Sequence, residues 1–159
     1  MTNDQVLKLA AALESISNSQ EPCCTADQKK VMYSIIRNAD KIAPVAKAIK
    51  SVIEKMNIET GLDKYDAERI ELCKKYADQD EAGDPVVIGN EYRISKRNEF
   101  EKMLTGLTEK YKGAINAVDD YLAEQSEEAV EFRKIKIDNI PDKFATGQII
   151  KILSPIIEE

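Results

Sequence analysis

Residues 32–56 read MYSIIRNADKIAPVAKAIKSVIEKM, and their spacing decides the fold class. Met32, Ile35, Ala39, Ile42, Ala46, Ile49, Ile53 and Met56 alternate steps of three and four. Such steps place side chains on one stripe of an α-helix. Ile36, Val45 and Val52 widen that stripe into a core-facing surface. Thr25 is the expected N-cap, with Gln28 three residues on as a partial capping box. Pro44 lacks an N–H and is expected to kink the helix or divide it. Gly61 is a second weak point. Beyond it the pattern resumes out of phase with Leu62, Tyr65, Arg69, Leu72 and Tyr76, and helix ends near Ala77.

A second stripe lies downstream. Phe100, Leu104, Leu107, Tyr111, Ala114, Val118 and Tyr121 again alternate four and three, flanked by Met103, Ile115 and Leu122. Ser95 is its expected cap and Glu124 its approximate end. Gly106 and Gly113 each cost such a helix about 1 kcal/mol relative to Ala, and they are read as places where a neighbouring helix approaches closely. Between the stripes, residues 78–85 are polar and turn-rich. Val86–Ile88 and Tyr92–Ile94 flank Gly89-Asn90 as a short β-hairpin.

Both ends add elements. Asp4 is the expected cap of a helix to Ser17, with Val6, Leu7, Leu9, Ala10, Leu13 and Ile16 on its apolar face. Pro22 stops it. Residues 129–137 read as a strand through Val130, Phe132, Ile135 and Ile137, with a parity change that predicts a bulge. A loop with Pro141 follows. Thr146 then caps a last helix holding Ile149, Ile150, Ile152 and Leu153, ended by Pro155. The expected fold is mainly α and one domain over 1–159, with no internal repeat. Residues 1–22 form an amino-terminal helix or arm. Residues 25–124 form an antiparallel, coiled-coil-like helical hairpin with a small β-hairpin or loop tip. Residues 129–159 form a minor C-terminal strand plus a short helix.

Composition narrows the function classes. The net charge is −6, and the basic pairs Lys29-Lys30, Lys74-Lys75, Lys96-Arg97 and Arg133-Lys134 have acidic neighbours, so no nucleic acid is expected as partner. The absence of His removes the commonest general base and the Ser-His and Cys-His pairs. Three Cys and no His fall short of the four ligands zinc takes. Cys23-Cys24 reads as part of a loop and Cys73 as packing, so the loop thiols are expected to react faster.

Asp78, Asp80 and Gly83 suggest a calcium loop, but Ala82 and Gly89 stand where it needs oxygen ligands. Adjacent carboxylates such as Asp119-Asp120 and Glu127-Glu128 do not face each other on a helix. The six glycines are dispersed, so no phosphate loop exists. No catalytic, cofactor or metal residue is assigned, and a non-enzymatic protein is expected. Tyr65, Tyr76, Tyr92, Tyr111 and Tyr121 are read as core-edge residues with wet hydroxyls. No secretory signal and no apolar run of about 20 residues is present, so a reducing cytoplasm is the expected location and no membrane is expected.

Tyr65 to Ile94 runs from Tyr-Asp-Ala-Glu-Arg through Tyr-Ala-Asp-Gln-Asp-Glu-Ala-Gly-Asp-Pro to Tyr-Arg-Ile. A charged helix, the segment Glu131-Phe132-Arg133-Lys134-Ile135 and a small terminal helix follow. This layout, over residues 30–159, resembles small helical proteins of uncharacterised role encoded by bacteriophages and prophages. The resemblance implies a non-enzymatic part in assembly, host takeover or countering host defence, and it assigns no site residues. The leading expectation is an interaction or structural protein that self-associates through helices and meets a host or phage protein. A two-fold dimer is the first guess. The amino-terminal Leu7, Leu13 and Ile16 either fold back on their own chain or meet another subunit, and the wide stripe favours the second. The alternative is a protein that sequesters a small anionic ligand, such as a nucleotide signal, with Lys and Arg. A third class is an enzyme with an unfamiliar carboxylate site.

Overall fold

Thr2, rather than Asp4, starts the first helix, α1 (Asn3–Ser17). Its hydroxyl accepts from the Gln5 N–H at 3.2 Å, and the Gln5 side chain accepts from the Thr2 N–H at 2.9 Å. Asp4 lies in the first turn, where its charge suits the helix dipole, and pairs with Lys8 at 2.7 Å. The computed structural model describes residues 1–19 and 25–158, so the Cys23-Cys24 reading lies outside the described residues. Helix accounts for 71% of it, and a two-stranded hairpin is the one sheet among the described residues.

The Thr25–Gln28 capping box forms in both directions, at 3.1 Å each way. It opens α2 (Ala26–Thr60), which runs through Pro44 undivided. Pro44 is exposed, so water can serve the Asp40 carbonyl that loses its N–H partner. Gly61 ends the helix. It adopts φ 70°, left-handed backbone that suits glycine, and its N–H donates to the Ile58 carbonyl at 3.2 Å. A 3-10 turn then leads into α3 (Tyr65–Tyr76).

The chain gathers into two compact units: Met1–Val52 with Tyr121–Glu159, and Ile53–Asp120. In the first unit, Val6, Leu9, Leu13 and Ile16 of α1 are at most 1% exposed. They fold back into their own chain, and α1 lies against α5 (Gly147–Leu153). Thr146 caps α5 as expected, accepting from the Ile149 N–H at 3.4 Å. On α2 the buried positions are Val31, Ile35, Asn38, Ile42, Val45, Ala46 and Ile49. Ile35, Ile42, Ala46 and Ile49 of the stripe read in sequence are thus buried, as is Val45 beside it, while Val31 and Asn38 are buried in place of Met32 and Ala39. Ile36 and Val52 do not widen it, being 42% and 39% exposed.

The strand expected over 129–137 reduces to a single parallel bridge between Ile135 and Ile157. The physical reason is visible in where its backbone bonds go. The Asn38 side chain, fully buried, takes the place of a neighbouring strand. Its Nδ2 donates to the Arg133 carbonyl at 2.8 Å, and its Oδ1 accepts from the Arg133 N–H at 2.8 Å. Lys41 donates to the Glu131 carbonyl at 2.6 Å. Two 3-10 turns follow, Ile137–Asn139 and Asp142–Phe144, with Ile140, Pro141 and Phe144 buried around them.

In the second unit, β1 (Val87–Ile88) pairs antiparallel with β2 (Glu91–Tyr92). Gly89, at φ 64°, is the only positive φ of the two-residue turn, which matches a type II′ hairpin. The next helix, α4 (Arg97–Ala123), is not capped by Ser95. The Ser95 hydroxyl donates instead to Asp78 Oδ2 at 2.6 Å, and the Lys96 carbonyl accepts the first helical bond, from the Phe100 N–H at 3.1 Å.

Gly106 and Gly113 are not close-approach positions: a Cβ at either meets nothing within 4 Å. The double substitution Gly106→Ala/Gly113→Ala is therefore expected to stabilise α4 by about 1–2 kcal/mol, from propensity alone. Urea denaturation checks this, and a fall in midpoint would show that one of the glycines has a structural duty.

Candidate functional site

α3 and α4 are held together by aromatic and charged contacts that fix their direction. The Tyr65 and Tyr111 rings meet edge to face, with centroids 5.4 Å apart, and Tyr76 meets Phe100 at 6.1 Å. Residue 65 thus faces 111 and residue 76 faces 100, so the two helices run antiparallel. One turn along α3 from Tyr65, Glu68 accepts from Lys110 at 2.9 and 2.8 Å and from the Tyr111 hydroxyl at 2.8 Å. Tyr111 is 6% exposed and its hydroxyl is engaged by Glu68, not wet as expected. Burying that ring without its partner would strand a donor.

The Lys110 hydrogen bond, followed by that from Tyr111, holds the Glu68 carboxyl below its ordinary value of 4.5. The same pairing with Glu68 raises Lys110. A depressed carboxylate stabilises the fold above its unfolded pKa, and that contribution is lost as pH falls through the lower folded value. The second unit is expected to loosen below pH 4.5. Glu68→Gln is expected to flatten that part of the pH–stability profile, as read by thermal melts between pH 3 and 7. An unchanged profile would show that the pair contributes nothing. Glu68 is solvent-accessible, so the effect is small.

Beside this contact α3 and α4 line an open groove of about 800 Å³. Its floor is apolar: Ala67 and Leu72 from α3, and Met103, Gly106 and Leu107 from α4. Met103 is 46% exposed, which is high for a residue with an apolar strip beneath it. The rim is charged, with Glu68, Glu71 and Lys75 on one wall and Lys102 and Lys110 on the other. Sequence reading places Leu72 and Leu107 in the stripes and Met103 on a flank. It does not bring them together as a surface, because the relative turn of two helices is not written in either one. The available signal was the charges alternating with these apolar positions on both helices.

The acidic loop before the hairpin is bound up internally. Asp78 accepts from the Ser95 hydroxyl and, at 3.2 Å, from the Ser95 N–H, and it pairs with Arg93 at 3.2 Å. The Ser95 bonds, then the Arg93 charge, hold its carboxyl low. Asp80 Oδ1 accepts from the Ala82 and Asp84 N–H groups, both at 2.9 Å. These oxygens close the turn. Among the described residues no cluster of three or more Cys, Asp or Glu is arranged to hold a metal. Asp119-Asp120 and Glu127-Glu128 are exposed, and Cys73 is half-buried and free. No helix among the described residues is long and apolar enough to cross a membrane.

No family model matches the chain, and searches of the curated proteins and of solved structures return no match.

Proposed function

We propose that the chain is a non-enzymatic interaction protein that acts through the α3–α4 groove, in the cytoplasm of a bacterial host and in the service of a phage or other mobile element. The groove carries this reading. Exposed apolar residues scattered singly are ordinary, whereas a contiguous apolar floor between two helices with a charged rim is the form in which one helix receives another. The phage setting rests on the resemblance carried by residues 65–94 and the segments after it.

The rival, capture of a small anionic ligand, has three rim lysines in its favour. Glu68 and Glu71 share the same rim, however, and Glu68 already engages Lys110. Thermal-shift screening against nucleotides separates the readings, because only a ligand binder is selectively stabilised.

The direct test places a photo-crosslinking amino acid at position 103 and, as control, at Glu101, which is exposed on α4 and does not line the groove. In cells, position 103 is expected to give discrete protein adducts well above those at 101. Equal labelling, or none, removes the interaction reading.

A further inference from the structure

We infer that the α3–α4 groove receives an amphipathic helix of another protein, with carboxylates on that helix where it passes between Lys75 and Lys102. This rests on the reading of the groove as an interaction surface and names the chemistry of the partner.

The first observation is how little the second unit buries. Among the described residues from Ile53 to Asp120, Tyr111 is the one that is buried. Leu72, Phe100, Leu104 and Leu107 are half-buried, and Met103 is 46% exposed. A layer of helices ordinarily covers its apolar stripe with a further layer. Here α3 and α4 hold each other, and the apolar strip beside their contact lies open.

The length and chemistry of that strip select a helix. The contacts of 65 with 111 and of 76 with 100 set Lys102 level with residue 74 and Lys110 level with residue 66. The groove therefore runs along about nine residues of α3, or about 14 Å, which is two to three helical turns. Met103, Leu72 and Leu107 follow one another along its floor. A helix seated there meets them with apolar residues at i, i+3 or i+4, and i+7. An extended segment would set unpaired backbone N–H and C=O groups against the same apolar floor.

The second observation is where charge is left over. At one end Lys110 is matched by Glu68 at 2.8 Å, and near the middle Glu71 is matched by Lys74 at 2.8 Å. At the other end Lys75 and Lys102 come from opposite walls, and neither makes an ion pair or hydrogen bond among the described residues. The contact of Lys75 is with the face of Tyr76, 5.9 Å from the ring centroid. A carboxylate on a helix between these walls meets both cations, and a lysine there meets two like charges. The chain as a whole carries a net charge of −6, which opposes an acidic partner at long range. A preference for acid must then come from this pair.

Selection of displayed amphipathic helices against the full chain tests this. The helices carry Leu at i, i+3, i+4 and i+7, with Glu, Gln or Lys randomised at the flanking positions. Glu is expected to exceed Lys by about tenfold or more at the flanks of one end. Lys75→Glu/Lys102→Glu is expected to abolish or reverse that preference, with circular dichroism unchanged. Lys47→Glu/Lys50→Glu makes the same change of net charge at exposed positions of α2 in the first unit, and is expected to keep it. Failure to select any helix, selection without a preference for Glu, or the same loss in the control pair overturns the proposal. Adducts at position 103 in cells, with no acidic helix selected, remove the acidic helix but keep the interaction reading. An adduct of twice the chain's mass gives the groove to a second copy instead. Neither adducts nor selected helices removes both readings.

Discussion

Asn38→Leu is expected to lower the stability of the first unit by about 2–4 kcal/mol. Asn38 is 0% exposed, and both ends of its amide are spent on the backbone of Arg133, each at 2.8 Å. Leucine has similar bulk, so the loss comes from polar groups left behind and not from a void. A carbonyl and an N–H deprived of partners cost about 1–3 kcal/mol each when shielded from water. Residue 133 has an exposed side chain, so water reaches part of this backbone and the lower half of the summed range applies. For a chain of this length, the shift in thermal midpoint is about 4–16 °C. Hydrogen exchange supplies the specific readout: the Arg133 amide should lose protection while the amides of α4 do not. A variant as stable as the parent, with Arg133 still protected, would show that the clamp is incidental.

This residue also marks where sequence reading stopped. The three-four spacing located α2, and Ile35, Ile42 and Ile49 lie in the core as read. Asn38 carries no local signal of its role, because a polar residue between apolar ones is ordinarily a solvent position. Its duty is to a segment 95 residues away, and no local pattern encodes that. The parity change between Phe132 and Ile135 was the visible half of the same fact, a segment that cannot alternate because it is held by a side chain and one bridge. Ser95 failed as a cap for a similar reason, since its hydroxyl is committed to Asp78, 17 residues earlier. Local punctuation was legible where the chemistry is local, at Thr25, Gly61, Gly89 and Thr146. The groove was legible only as its parts.

Removing residues 1–19 is expected to unfold the first unit. The sequence alone favours another subunit as the partner of Leu7, Leu13 and Ile16, which would let such a truncation weaken association and spare most helix. The structure puts Val6, Leu9, Leu13 and Ile16 at 1% exposure or less. Burying such side chains contributes about 1.5–3 kcal/mol each, so four contribute roughly 6–12 kcal/mol. That is comparable with the whole stability of an ordinary domain, about 5–15 kcal/mol. The helical circular dichroism signal should fall by more than the 15 residues of α1 themselves. A milder probe, Leu13→Ala, is expected to cost about 3–5 kcal/mol, since the residue is fully buried. A truncated chain that kept the remaining helix signal and a cooperative melt would contradict the burial of α1.

The first unit is made from the two ends of the chain, and this sets a timetable for its birth. α1 ends at Ser17 and its neighbour α5 begins at Gly147, 130 residues later. At a synthesis rate of 5–20 residues per second, α1 waits roughly 7–26 s for that neighbour. α3 and α4 are separated only by the acidic loop and the hairpin, so they meet while the ribosome is still at work. A nascent chain arrested before residue 147 would carry a finished α3–α4 pair and a first helix still lacking its α5 neighbour.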